Sequence, residues 1–134
     1  MPVTRACANE EDTVLLVEDQ DAVREVLGAA LKRAGYSLLE AANGEDALSV
    51  ASDHPGKISI VVTDVVMPKL GGPDLYRRLI KMRPGIKVLF MSGYAEEQVR
   101  KCGVEGESAF LEKPFSLGHL TRTVRSLTEA VPSS

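Results

Sequence analysis

The 134-residue sequence predicts a single α/β domain: a doubly wound, five-stranded parallel sheet with helices on both faces. Short apolar runs recur five times, at residues 14–17, 36–41, 58–62, 86–91 and 108–112, and the central one has the β-branched density of a strand buried on both sides. Each run is followed by a stretch with helical spacing, and strict alternation of strand and helix calls for parallel strands joined by right-handed crossovers. The central run, Ile58-Ser59-Ile60-Val61-Val62-Thr63, leads into Asp64. Ligands of such sheets bind beyond the carboxyl ends of the strands.

Residues 1–12 are polar and aperiodic, an expected mobile leader before a domain spanning 13–129, with a tail at 130–134. The first strand, Val14-Leu15-Leu16-Val17, runs into Glu18-Asp19, two like charges that need a cation or full exposure. Asp21 suits the positive end of the next helix, whose stripe is Val23, Val26, Leu27, Ala30, Leu31 and Ala34; Gly35 stops it. The second strand leads to a helix opened by Asn43-Gly44, carrying Leu48 and Ala51 inward and closed by His54-Pro55-Gly56.

Beyond Asp64 and Met67-Pro68, the turn residues Leu70-Gly71-Gly72-Pro73 start a helix over 74–82 with Leu75, Leu79 and Met82 facing in. Arg83-Pro84-Gly85 ends it. The fourth strand delivers Ser92, followed by Gly93 and Tyr94; a short polar helix is expected over 95–102. The fifth strand delivers Lys113-Pro114-Phe115, and a last helix over 116–129 buries Leu117, Leu120, Val124 and Leu127.

Composition narrows the function. With 26% charged and 44% hydrophobic residues the chain is an ordinary globular one, and a net charge of −3 gives no electrostatic footprint for nucleic acid. No apolar run approaches the roughly 20 residues that span a bilayer. The expectation is a cytoplasmic protein without direct membrane contact. Cys7 and Cys102 lack disulfide or zinc spacing and read as free thiols. Arg77, Arg78, Lys81 and Arg83 read as the solvated face of a helix, and His54 and His119 are given no role.

Four of the five strands end in a reactive or charged side chain: Glu18 and Asp19, then Asp64, Ser92 and Lys113. A parallel sheet puts these ends on one edge. Clustered carboxylates suit a hard cation with oxygen ligands, such as magnesium. Each residue alone has an ordinary reading as a cap, turn or surface charge; their joint placement does not.

The combination resembles the receiver domains of two-component signalling, the response-regulator family that includes the chemotaxis receiver. Glu18-Asp19, Asp64 with Met67-Pro68 and Gly71-Gly72 behind it, Ser92-Gly93 and Lys113-Pro114-Phe115 match that family's pattern in order. The wording of 63–68 and 90–94 is similar to receivers at the C-terminus of hybrid sensor histidine kinases. The resemblance implies a flavodoxin-like (βα)5 fold with strand order 2-1-3-4-5. It implies that Asp64 accepts a phosphoryl group from a histidine kinase or histidine phosphotransfer protein. Asp19 and Asp64 would ligate magnesium, with Glu18 acting through a water and the Val66 carbonyl completing the set. Without the metal the reaction should nearly stop.

By the same resemblance, Lys113 pairs with Asp64 at rest and with a phosphoryl oxygen afterwards, Ser92 donates to another, and Phe110 is the aromatic switch that repacks the face made by the fourth helix, fifth strand and fifth helix. An aromatic on a strand is also ordinary core, so both readings of Phe110 stay open. The Lys113-Pro114 bond is expected to be cis. Val66 and Tyr94 occupy the positions that tune lifetime, and apolar Val66 cannot orient water, which implies slow self-dephosphorylation. No independent enzyme activity is expected beyond the chain's own phosphorylation and dephosphorylation. The rivals are a magnesium phosphohydrolase working through an aspartyl phosphate, which would want a second carboxylate and a cap, and a docking module that is never phosphorylated. The cognate kinase and a phosphorylation-dependent homodimer are left open.

Overall fold

The computed structural model describes residues 12–67, 70–92 and 109–129. Within them run β1 (Thr13–Val17), α1 (Asp21–Arg33), β2 (Ser37–Ala41), α2 (Gly44–Asp53), β3 (Ile60–Asp64), α3 (Gly72–Met82), β4 (Lys87–Ser92), β5 (Ala109–Glu112) and α4 (Leu117–Glu129). The five strands form one parallel sheet in the order β2-β1-β3-β4-β5, as expected. The helix expected over 95–102 lies outside the described residues, as do residues 1–11 of the leader, the tail, Pro68, Gly93 and Tyr94.

Every residue of β1 and β3 is buried, because helices cover both faces of the sheet. Successive side chains alternate between two cores. Leu15, Val17, Val61, Val88 and Phe90 pack with Ala47, Ala51, Leu75 and Leu79 of α2 and α3. Val14, Leu16, Ile60, Val62, Leu89 and Met91 pack with Leu27, Leu31, Leu120 and Val124 of α1 and α4. The continuous apolar runs in the sequence have this double burial as their cause.

Local chemistry sets the helix ends. Asn43 accepts from the Asp46 N–H at 2.8 Å and caps α2. Gly35, at φ 105°, ends α1 by letting its own N–H reach the Lys32 carbonyl while the Tyr36 N–H reaches that of Leu31. Three expected core positions are corrected: Val26 is 52% exposed, Met82 43% and Leu117 39%. Val26 lies at the margin of its stripe, while Met82 is the last residue of α3 and Leu117 the first of α4. Arg83 is likewise not part of a solvated face. It donates to the carbonyls of Gly56, Ala51 and His54 at 2.6–2.8 Å and so ties down the C-terminal end of α2. Arg77 pairs with Asp74 on the exposed side of α3.

The start of α3, at Gly72 rather than the expected residue 74, braces the end of β3. The Gly72 N–H donates to the Val65 carbonyl at 2.8 Å. A Cβ there would fall onto the Asp64 carbonyl oxygen and lie 3.2 Å from both Phe90 Cε1 and the Val65 backbone. Gly72→Ala is therefore expected to destabilise the domain by about 1–3 kcal/mol, since backbone cannot yield as a flexible side chain does. Urea denaturation checks this; an unchanged midpoint would mean that the α3 start is free to shift.

Candidate functional site

The carboxyl ends of β1, β3 and β4, with the residue after β5, converge on one crevice of about 250 Å³ lined by Glu18, Asp19, Asp64, Val66, Ser92 and Lys113, together with Gln20 and Met91. Sheet register brings them together: Val17 sits beside Thr63, Asp64 beside Met91, and Ser92 beside Glu112. Main-chain bonds then fix each loop as it leaves the sheet. The Glu18 N–H donates to the Ala41 carbonyl at 3.1 Å, the Val65 N–H to that of Met91 at 3.1 Å, and the Lys113 N–H to that of Ser92 at 2.7 Å. The Lys113-Pro114 peptide is cis, as expected.

Asp64, Glu18 and Ser92 are all buried. Lys113 Nζ lies 2.8 Å from Asp64 Oδ1 and 3.8 Å from Glu18 Oε1. Carboxylate oxygens of Glu18, Asp19 and Asp64 come within 4.8 Å of one another, so three acids share one ammonium. Burial, then the hydrogen bond and charge of Asp64, push the Glu18 carboxyl up from 4.5 to about 7. Burial works to lower the proton affinity of Lys113, but the hydrogen bond and charge of Asp64, followed by the charges of Glu18 and Asp19, raise it above its ordinary value.

Glu18 is 2% exposed, and its Oε1 has no hydrogen-bond partner. An orphaned buried oxygen, two further carboxylates nearby and a net negative charge fit a hard divalent cation. The residues that could hold it are Glu18, Asp19 and Asp64.

Phe110 is half-buried and stacks on Phe90 with ring centroids 5.6 Å apart; Phe90 in turn meets Tyr76 of α3 edge-on at 6.2 Å. Val66 is 68% exposed at the crevice mouth. His54 and His119 do not line the crevice. Two contributors went unread in the sequence. Gln20 donates its N–H to Glu18 Oε2 at 3.2 Å, and Arg24 reaches back to the Glu18 carbonyl. The one sequence signal for Arg24 was its spacing of three from Asp21 in the first helical turn.

A parallel sheet of this order, with an acid pair, a buried aspartate and a lysine at its carboxyl edge, defines a receiver. The chain belongs to the response regulator receiver domain family, which matches residues 14–125. It is 48% identical over 118 residues to the sensor kinase CckA of Brucella abortus, covering 87% of this chain but only 12% of that kinase. It is 31% identical over 115 residues to the response regulator receiver protein CpdR of the same species, covering 85% of this chain and 94% of that protein. Among solved structures, the receiver domain of the hybrid histidine kinase CckA superposes with a TM-score of 0.76 at 36% identity, over 87% of this chain and 99% of that one. The likeness to hybrid-kinase receivers is thus borne out. Among the described residues no helix is long and apolar enough to cross a membrane.

The raised Glu18 group has a sign that can be checked. Its folded value, about 7, lies above the ordinary 4.5, so the folded protein holds this proton more tightly than the unfolded chain does. The resulting stability is fully present below pH 4.5 and is lost as pH rises to 7 and beyond. In EDTA, wild-type stability should fall across that window by on the order of 2 kcal/mol relative to Glu18→Gln. Parallel pH profiles for the two proteins in urea denaturation would refute the assignment.

Proposed function

We propose that this domain, over residues 13–129, is a phosphoacceptor in two-component signalling, with Asp64 taking a phosphoryl group from the phosphohistidine of a histidine kinase or histidine phosphotransfer protein. The observation that carries this reading is the buried Asp64 carboxylate, held by Lys113 at 2.8 Å in a crevice shared with Glu18 and Asp19. One Asp64 oxygen attacks phosphorus, the P–N bond breaks, and the imidazole nitrogen keeps the bonding pair. Lys113 shifts from the carboxylate to a phosphoryl oxygen, for which a compact ammonium serves better than a planar guanidinium. Ser92 donates its hydroxyl to another phosphoryl oxygen, and Phe110 repacks as the Ser92 segment moves.

Asp19, Asp64 and the Val66 carbonyl would hold magnesium, with Glu18 acting mainly through a water. Bound there, the ion supplies the positive charge that lets an anionic carboxylate meet an anionic phosphoryl group. The likeness to a sensor kinase and to a hybrid-kinase receiver supports a phosphohistidine partner and a cytoplasmic setting. A phosphohydrolase reading is less well supported, because exposed, apolar Val66 stands where a second acid/base group would be wanted.

Intact-protein mass after incubation with acetyl phosphate and magnesium should show one added phosphate, absent in EDTA and in Asp64→Asn. Addition that survives in the variant would move the acceptor elsewhere. Lifetime gives a further check. Val66→Asn places a water-orienting amide at the crevice mouth and should shorten the acyl phosphate half-life, by up to about tenfold for one positioned polar group. Faster decay in wild type than in the variant would reverse the role given to Val66.

A further inference from the structure

Arg24 stands in the first turn of α1, but its guanidinium folds back over the helix start instead of extending into water. Nη1 donates to the main-chain oxygen of Glu18 at 2.7 Å, Nη2 donates to Asp21 Oδ1 at 2.6 Å, and Nε lies 3.5 Å from Glu40 Oε1 near the end of β2. The side chain is only 18% exposed. A guanidinium can serve three acceptors at once from a rigid fork; an ammonium at that distance is a single point charge.

The Glu18 carbonyl belongs to the peptide plane that joins Glu18 to Asp19. Holding this oxygen restrains the rotation of that plane, and with it the turn from which both carboxylates leave the chain. The other holds on the same turn are the Glu18 N–H on Ala41 and the Gln20 N–H on Glu18 Oε2. Arg24 supplies the side-chain hold. It also sorts the local charges: Asp21 and Glu40 engage the guanidinium, while Glu18, Asp19 and Asp64 remain clustered within 4.8 Å.

We propose that Arg24 is a positioning residue for divalent-cation binding, presetting the Glu18-Asp19 turn through its bond to the Glu18 carbonyl. This rests on the reading of the acidic cluster as a cation site. Partners that orient metal ligands from outside typically govern 10- to 100-fold of affinity. A residue serving only to stabilise α1 would lower the unfolding midpoint and leave affinity alone.

The test is calorimetric titration of the full chain with magnesium chloride after EDTA treatment, at a temperature where each metal-free variant is folded by circular dichroism. Arg24→Ala should weaken magnesium binding about tenfold. Arg24→Lys should recover only part of that loss, since it keeps the charge but not the fork. Glu40→Gln, which removes an outer charge and spares the carbonyl bond, should stay within about twofold of wild type. With acetyl phosphate, the slower labelling of Arg24→Ala should return toward the wild-type rate at saturating magnesium. Unchanged affinity in Arg24→Ala would overturn the inference, as would an equal loss in Glu40→Gln, which would assign the effect to charge alone. Wild type that binds no magnesium would fail earlier and separately, by removing the cation site itself.

Discussion

The ammonium of Lys113 stands 2.8 Å from Asp64, a buried carboxyl clustered with two others. Burial alone drives a carboxyl toward its neutral form, and a like charge nearby drives it further. Glu18 shows the effect, being pushed up to about 7 by burial and by Asp64. Lys113 lies closer to Asp64 than to Glu18, so it compensates Asp64 more strongly. The two buried acids are therefore chemically unequal: Asp64 is hydrogen-bonded to Lys113, while Glu18 meets it at 3.8 Å through an oxygen with no hydrogen-bond partner. A buried aspartate held by a lysine, beside an acid oxygen without a hydrogen-bond partner, suits the phosphoryl transfer proposed above.

Such a cluster can persist only on a support that does not relax. Like charges at a flexible edge would separate into water; here they sit on strands enclosed by two cores, and the loops that carry them are tied by main-chain bonds within a residue or two of leaving the sheet. Gly72 extends the support to α3, because the absence of a side chain lets the helix start rest on the Asp64 carbonyl. Position and charge are thus set by different parts of the molecule, the sheet fixing where the acids stand while burial and Asp64, opposed by Lys113, act on the Glu18 carboxyl.

The fold was legible because double burial writes unbroken apolar runs, and the candidate site was legible because parallel strands must deliver their ends to one edge. Strand order was not written in periodicity; it came with the family resemblance. Helix faces were read too wide at Val26, Met82 and Leu117, since spacing marks a stripe but not where the sheet beneath it stops. Arg83 and Arg24 were missed for a shared reason. The contacts that matter in both go to main-chain carbonyls, which every residue carries; the spacing of Arg24 from Asp21 signals only an ion pair along the helix and not the bond to the Glu18 carbonyl.

The two open readings of Phe110 can be weighed by packing. Phe90 is fully buried, edge-on to Tyr76 on one side and stacked with Phe110 on the other. A ring enclosed on all sides cannot change place without opening a cavity in a close-packed interior. Phe110 is half-buried, stacked on Phe90 and packed against the margin of that core. Register makes the neighbour relevant: Phe90 pairs with Phe110 across β4 and β5 and with Thr63 across β3, one residue before Asp64. A ring that was simply core would be expected to resemble Phe90 in burial. In the proposed switch, Phe110 on β5 is the ring that would yield when Ser92, at the end of the neighbouring β4, is drawn toward a phosphoryl group.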